Sequence, residues 1–189
     1  GLGDVYKRQA FCFAAMSILF STIAVLLTSS PFNLSDVFIG VVTLIGVFGA
    51  LATTKIGKLA DRGHTQILTW LGILTFVISW VFLYFGGQSL ISYILGYGLI
   101  SLALVLVHTS NQNIIFRLHP SAKSRINSIY MTFYFAGGAC GSALGVYAWH
   151  HGGWIMTCSV GLALVGGAAL FTLLDHHYQS KFLTAKAEG

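Results

Sequence analysis

Six long apolar runs divide the sequence, and the charged residues lie between them. The runs cover residues 10–28, 37–54, 67–85, 89–116, 126–149 and 154–174. The first five contain no Lys, Arg, Asp or Glu. Because a membrane-spanning helix needs about 20 mainly apolar residues, the pattern predicts an all-α membrane protein with six transmembrane helices.

The composition agrees with a membrane protein and argues against other classes. Apolar residues make up 56% of the chain and charged residues 8%, with a mean hydropathy of +0.79, outside the range of soluble domains. The formal charge of +5 does not indicate nucleic-acid binding, since the basic residues lie in short gaps between the runs. Cys12, Cys140 and Cys158 lie inside apolar runs without metal-ligand spacing, and we expect them to be small core residues. We expect no metal, no cofactor and no nucleic-acid partner.

The basic residues are confined to every second gap. All Lys and Arg beyond residue 9 lie in 55–66, in 117–125 or in the tail after 174, whereas the other three gaps have none. Cytoplasmic loops of membrane proteins carry an excess of Lys and Arg. The pattern therefore predicts a multi-pass protein with both ends in the cytoplasm.

The first nine residues are expected not to be native. Residues 4–9, Asp-Val-Tyr-Lys-Arg-Gln, can be back-translated as GAT GTG TAT AAG AGA CAG, which is similar to a transposon end used in preparing sequencing libraries. Residues 1–9 would then be a scar, and the natural chain would be a fragment that enters at Ala10 inside an apolar run. The remainder divides into a transmembrane part, 10–175, and a cytoplasmic tail, 176–189.

Polar and small residues recur at helical spacing within some runs and not in others. The fourth and fifth runs each carry a polar stripe, and the first and second carry small residues, whereas the third and sixth are apolar nearly all round. The pattern therefore repeats after three runs. A three-plus-three repeat of this kind is typical of secondary transporters.

Several motifs resemble one family of transporters. The segment 57–63, Gly-Lys-Leu-Ala-Asp-Arg-Gly, is similar to the second-half copy of the loop signature of the major facilitator superfamily, Gly-x-x-x-Asp-Arg-x-Gly, with the last glycine one residue early. Further likeness to bacterial drug/proton antiporters lies in His108-Thr109, Ser128-x-Tyr130, the stretch 133–142 and Gly153-Trp154.

The resemblance covers 10–175 and implies the carboxyl-terminal six helices of a twelve-helix transporter in the bacterial inner membrane. Its amino-terminal half, with the coupling carboxylates, would lie upstream of Ala10. The implied function is proton-coupled efflux of small organic molecules by alternating access. The partners would be the missing half, the lipid bilayer, a small-molecule substrate and protons.

Seven residues on the polar stripes are candidates for lining a substrate cavity. They are Tyr93, Tyr97, Ser101, His108, Asn127, Tyr130 and Tyr134. Aromatic faces can hold lipophilic or cationic ligands, and the alternative for the tyrosines is helix packing. For His108 a hydrogen bond to a neighbouring helix is favoured over a role as proton carrier, although its ordinary pKa near 6.5 permits both.

Two further sets of residues are expected to control helix contacts. Gly57, Asp61, Arg62 and Gly63 would form a cytoplasmic latch whose glycines permit a tight turn, and the alternative is a solvated topology signal. Gly137, Gly141 and Gly145 share one helix face and are expected to allow close approach of another helix.

Two other functions compete with a transporter half. One is a complete six-helix protein that works as a dimer, supported by the glycine-rich faces. The other is an intramembrane enzyme, which would need a buried nucleophile or metal ligands. Because the sequence shows no catalytic motif, we expect that the protein is not an enzyme.

Overall fold

The computed structural model describes residues 2–118 and 120–187, with the side chains of these residues other than 48, 50 and 178–187. Every element in this part of the chain is helical, and the prediction of an all-α protein is confirmed. The helices are α1 (Leu2–Thr28), α2 (Asp36–Thr43), α3 (Gly46–Leu59), α4 (Thr65–Phe85), α5 (Leu90–Leu118) and α6 (Lys123–Ala187), with a π-helical turn at Ala60–His64 and a 3-10 turn at Pro120–Ala122.

Four helical stretches of the described residues are long and apolar enough to cross a membrane. They are Leu2–Thr28, Leu51–Phe85, Leu90–Leu118 and Pro120–His177. The second and fourth each contain a glycine whose backbone leaves the helical region, Gly63 with φ 93° and Gly153 with φ 60°. These positive φ values cost little for a residue without a Cβ atom. Gly153 divides α6 into a first limb, 123–152, and a second limb, 154–187.

The charged segment between the second and third apolar runs is helical for most of its length. Helix α3 continues through Gly57 to Leu59, and the π-helical turn follows directly. Only Gly63 has a left-handed backbone in this segment. The expectation that both glycines permit the turn is therefore corrected, because Gly57 has ordinary helical geometry and only Gly63 changes the chain direction.

The second apolar run, predicted as one helix, is broken in its middle. The amide of Leu44 donates to the carbonyls of both Gly40 (3.3 Å) and Val41 (3.2 Å), and the helix tightens for one turn before α3 begins at Gly46. The hydroxyl of Thr43 also donates to the Gly40 carbonyl at 2.7 Å. Such back-bonding competes with the regular helical bonds and bends helices.

Helix α1 packs between the two limbs of α6. Along the first limb, Gly137, Gly141 and Gly145 lie in turn against Ala10, Ala14 and Ile18. Because the residue numbers rise together, these two segments are parallel. Along the second limb, Arg8 pairs with Asp175 and Phe11 lies over Gly167. The second limb therefore runs in the opposite direction to the first.

Helices α4 and α5 form an antiparallel pair that closes the core. A Cβ atom at Gly96 of α5 would lie 2.7 Å from the Leu83 side chain of α4. The indole of Trp154 donates to the Leu83 carbonyl at 2.8 Å. This bond ties the break at Gly153 to the last turn of α4, where backbone carbonyls lack helical partners.

Replacing Gly141 by Leu is expected to disrupt the contact between α1 and the first limb. A Cβ atom at this position would collide with the carbonyl and Cα atoms of Ala14, and backbone cannot move aside as a flexible side chain can. Overpacking of this kind costs about 1–3 kcal/mol or more. Thermal unfolding of the purified protein in micelles should show a lower midpoint or a loss of folded yield.

The matched control is Leu144→Phe, one turn further along the same limb. Leu144 is 40% exposed, so the larger ring has room and should leave the midpoint nearly unchanged. Equal effects of the two substitutions would mean that the glycine face is not an interface.

Candidate functional site

The seven predicted cavity residues fall into two separate groups. Tyr93, Tyr97 and Ser101 lie in the first half of α5, whereas His108 lies further along α5 and is joined by residues of the first limb of α6. The residues from α6 are Asn127, Tyr130 and Tyr134.

The first group is enclosed between helices. Tyr93, Tyr97 and Ser101 are 0%, 3% and 6% exposed, and both tyrosines belong to the main hydrophobic core. Their rings stack with centroids 6.3 Å apart, and the Ser101 hydroxyl donates to the Tyr97 carbonyl at 2.9 Å. In this structure these three side chains pack helices together and present almost no surface to a ligand.

The second group surrounds His108. The Tyr130 hydroxyl lies 3.0 Å from Nδ1 of His108, and the imidazole ring lies 5.5 Å from the Tyr130 ring and 5.3 Å from the Tyr134 ring. Tyr130 is buried, while His108 and Tyr134 are half-buried. The histidine therefore hydrogen-bonds a neighbouring helix and also keeps an accessible edge.

Helix α1 completes this aromatic group with a residue that sequence reasoning did not select. The ring of Phe13 stacks on Tyr134 with centroids 3.8 Å apart. Nearby, Nε2 of Gln112 lies 3.5 Å from Oδ1 of Asn127, which is half-buried. The result is a surface of aromatic faces with amide and imidazole groups beside it, a chemistry suited to lipophilic molecules that carry a polar or cationic group.

A buried polar network lies around Asn111, and the sequence reasoning did not find it. Nε and Nη2 of Arg8 both donate to Oδ1 of Asn111, the former at 2.9 Å, and Nη1 of Arg8 lies 3.4 Å from Oδ2 of Asp175. Nδ2 of Asn111 donates to Oε1 of Gln9 at 2.8 Å. Arg8 and Gln9 belong to the segment predicted to be a scar, so the members expected in a natural chain are Asn111 and Asp175.

The loop that carries the family-like signature is held by the end of α5. Oδ1 of Asp61 accepts a hydrogen bond from Nδ2 of Asn113 at 2.7 Å. Nη2 of Arg117 donates to the carbonyls of Ala60 (3.3 Å) and Asp61. Arg62 is exposed. Sequence reasoning missed Asn113 and Arg117 because nothing in their spacing indicates that α5 ends beside this loop.

The remaining chemistry of the described residues is sparse. Among them, no group of three His, Cys, Asp or Glu could hold a metal ion. Cys12 and Cys158 are buried, whereas Cys140 is exposed on α6. The expectation that all three cysteines are core residues is therefore corrected for Cys140.

These features define the class of protein. An all-helical chain whose apolar helices can cross a membrane, with polar side chains gathered between them, is a multi-pass membrane protein. The comparison with known families is more specific. The sequence model described as Major Facilitator Superfamily matches residues 9–188, and the chain belongs to this family.

Two relatives have names that also describe transporters. The chain is 41% identical over 152 residues to "Uncharacterized transporter YgaY" of Escherichia coli O157:H7, an alignment that covers 80% of this chain and 39% of that protein. It is 31% identical over 158 residues to "Probable transporter SCO4007" of Streptomyces coelicolor, covering 81% of this chain and 36% of that protein. The chain thus spans well under half the length of these relatives. No solved structure matches.

The contacts of the loop predict a role for Arg117. Replacing Arg117 by Gln should free one of the carbonyls of Ala60 and Asp61, since the shorter amide cannot reach both. The loss of one hydrogen bond should increase the equilibrium constant for local opening of the loop roughly tenfold. Hydrogen exchange of residues 60–64 should accelerate by about that factor.

The control for Arg117 is Arg125→Gln, which removes the same charge from an exposed residue on α6. Exchange of the loop should be unchanged in this variant. If both variants accelerate exchange equally, net charge rather than the two hydrogen bonds holds the loop.

Proposed function

We propose that the chain is a six-helix half of a secondary active transporter that exports small organic molecules in exchange for protons. The observation that carries the proposal is the family match over residues 9–188, together with alignments that span only 36–39% of two transporter relatives. A half of this kind would work by alternating access with a second half, the two rocking about a shared substrate path. We place the protein in the bacterial inner membrane.

The lengths of the helical stretches support six crossings. The stretch Leu51–Phe85 has 35 residues and Pro120–His177 has 58, and at 1.5 Å per residue they measure about 52 Å and 87 Å, against a hydrocarbon core of about 30 Å. Each is broken once, at Gly63 or Gly153. Pro120–His177 would therefore supply two crossings, one for each limb of α6. In Leu51–Phe85, α4 would supply one crossing, and the residues before Gly63 would belong to the crossing formed by the bent pair α2 and α3. With α1 and α5 this makes six crossings in a three-plus-three arrangement.

The topology that we propose has both ends in the cytoplasm. Reporter fusions after Gln88 should behave as periplasmic and fusions after Lys181 as cytoplasmic, because Lys and Arg are restricted to alternate gaps. A fusion after Asn33 serves as a second periplasmic position. The reverse pattern would overturn the orientation and the assignment of the gate.

The substrate surface that we propose is centred on His108 and Tyr134, with Asn127 beside them. These three keep accessible surface, whereas Tyr130 lies behind His108 and orients its ring through the 3.0 Å hydrogen bond. Tyr93, Tyr97 and Ser101 would support this surface from within the helix packing. Lipophilic substrates with a polar or cationic group fit the aromatic faces of the surface.

One of the glycine-rich faces that favoured the dimer alternative is covered within the chain. The face formed by Gly137, Gly141 and Gly145 lies against α1 of the same chain, so it is not left for a second copy. Family membership also favours a transporter over the intramembrane enzyme.

The gate that we propose includes Asp61, held within the half by Asn113. In the intact parent protein, Asp61→Asn should slow transport while folding is nearly unaffected, because an amide oxygen can still accept the bond from Asn113. A charge that is paired in one state and solvated in the other shifts the equilibrium by about 1–3 kcal/mol, or roughly 5- to 150-fold.

The measurement is efflux of a lipophilic dye from bacteria that lack their major exporters. The parent protein should export the dye, and a proton uncoupler should abolish export. Asp61→Asn should reduce the rate and change cysteine labelling from the cytoplasm, and Asp36→Asn, an exposed acid at the start of α2, is the control. Uncoupler-resistant export would contradict proton coupling. Normal transport with unchanged labelling in Asp61→Asn would leave the loop as a topology signal.

A further inference from the structure

Two adjacent glycines of the first limb of α6 have different neighbours. A Cβ atom at Gly137 would collide with the backbone of Ala10, so this residue serves the contact between helices. The three atoms nearest to a Cβ atom at Gly138 belong to side chains. They are two ring carbons of Phe13, at 2.6 and 2.8 Å, and the hydroxyl oxygen of Ser17 at 3.2 Å. Gly138 therefore makes room for an aromatic ring rather than for a helix backbone.

The ring of Phe13 occupies a narrow notch on this limb. It stacks on Tyr134, one turn before Gly138, with centroids 3.8 Å apart and ring planes inclined by 19°. Rings at this separation are in face contact, so no other group fits between them. The notch is bounded by the face of Tyr134 and by the missing side chain of Gly138, and its occupant must be flat.

The occupant is a side chain that can leave. Phe13 packs against the main hydrophobic core but remains half-buried. A phenyl ring has no polar atom, so no side-chain hydrogen bond fixes it, and rotation about χ1 to another staggered position would uncover Tyr134. The uncovered face would join the candidate substrate surface, because the Tyr134 ring already lies 5.3 Å from the ring of His108.

A ligand of suitable chemistry can compete with Phe13 for the face of Tyr134. The resident pair is uncharged and gains only the stacking of two aromatic rings. A cationic aromatic ring adds the attraction of a positive charge for the electron-rich face of a tyrosine. The ligand must also be planar, since substituents that project from its plane would meet the backbone at Gly138.

We propose that Phe13 determines the specificity of the substrate surface, because it fills the notch until a planar aromatic cation displaces it and stacks on Tyr134. Lipophilic cations without a flat ring would bind beside His108 and leave Phe13 in place. This inference rests on the substrate surface of the proposed function and assigns one class of ligand to part of it.

The test measures binding to the full 189-residue chain in detergent micelles by equilibrium dialysis. The probes are proflavine, a planar fused-ring cation, and tetrapentylammonium, a lipophilic cation without a ring. Phe13→Ala should raise the ratio of the proflavine affinity to the tetrapentylammonium affinity about two- to tenfold, the range expected when one competing aromatic pair is removed. Phe20→Ala, at a position of α1 that is 50% exposed, should leave the ratio unchanged. An unchanged ratio in Phe13→Ala would overturn the proposal.

A second substitution locates the bound ring. Gly138→Ala, introduced into the Phe13→Ala variant, should return the ratio to that of the unsubstituted chain, because the added methyl group takes the space of the notch. Gly166→Ala in the same background is the matched control, since a Cβ atom at Gly166 has no neighbour within 4 Å. A gain that survives Gly138→Ala would place proflavine elsewhere and would contradict the assignment.

A spectroscopic measurement does not depend on the stability of these variants. Replacing Phe13 by para-fluorophenylalanine retains the ring and adds a fluorine NMR signal that is sensitive to stacking on Tyr134. Saturation with proflavine should move this signal towards that of an unstacked ring, whereas tetrapentylammonium should not. A signal that stays in place while proflavine is bound would show that Phe13 only packs helices together.

The outcomes separate this inference from the proposed function. If His108→Ala weakens both probes while Phe13→Ala changes both affinities equally, the substrate surface stands and the role of Phe13 is wrong. If proflavine binds neither the unsubstituted chain nor Phe13→Ala, the inference is also wrong. Efflux by the parent protein then remains an independent test of the proposed function.

Discussion

The close contact between α1 and the first limb of α6 is the interaction on which the rest of the fold depends. Within a bilayer the lipid tails are as apolar as the side chains, so helices associate by tight packing rather than by leaving water. Gly137, Gly141 and Gly145 let the first limb reach the backbone of α1. The second limb then lies against the other side of α1 through Phe11, whose ring is tilted against that of Phe171 with centroids 5.6 Å apart. One central helix thereby orients both limbs.

Two glycines with left-handed backbone control where the chain reverses. At Gly153 the reversal is braced by the indole of Trp154 on the Leu83 carbonyl, and at Gly63 by Arg117 and Asn113 from the end of α5. In both places a side chain satisfies or holds the backbone near a helix end. Backbone N–H and C=O groups without hydrogen-bond partners are costly away from water. Each break in a helix is therefore accompanied by a side chain that forms hydrogen bonds near it.

Helix α5 contributes to three polar regions within two turns. His108 meets Tyr130 of α6, Asn111 joins the buried network near Asp175, and Asn113 holds Asp61. Successive side chains of an α-helix are rotated by about 100° around its axis. Residues that are close in sequence can therefore face different helices. The substrate surface and the gate that we propose are thus attached to one rigid element, which is what coupling between them would require.

The sequence by itself determined the class of the protein, its all-helical fold and its family. A long apolar run that crosses a membrane forms a helix, because the helix satisfies all its backbone hydrogen bonds within the segment. The loop signature around Asp61 and Arg62 indicated the family that the comparisons then showed. The spacing of Gly137, Gly141 and Gly145 identified a face for close helix approach, because helical periodicity is a local property.

Only the tertiary structure decided which helix meets which, and so which polar residues share a site. The stripe of α5 is continuous in sequence, yet Tyr93 and Tyr97 are enclosed by neighbouring helices while His108 retains an accessible edge. Phe13 contacts Tyr134, and Asn113 contacts Asp61. These residues lie far apart in the sequence, and helical periodicity does not predict contacts between different helices. The physical reason is that period and composition specify the faces of one helix, whereas burial and hydrogen-bond partners depend on the side chains that the other helices bring to those faces.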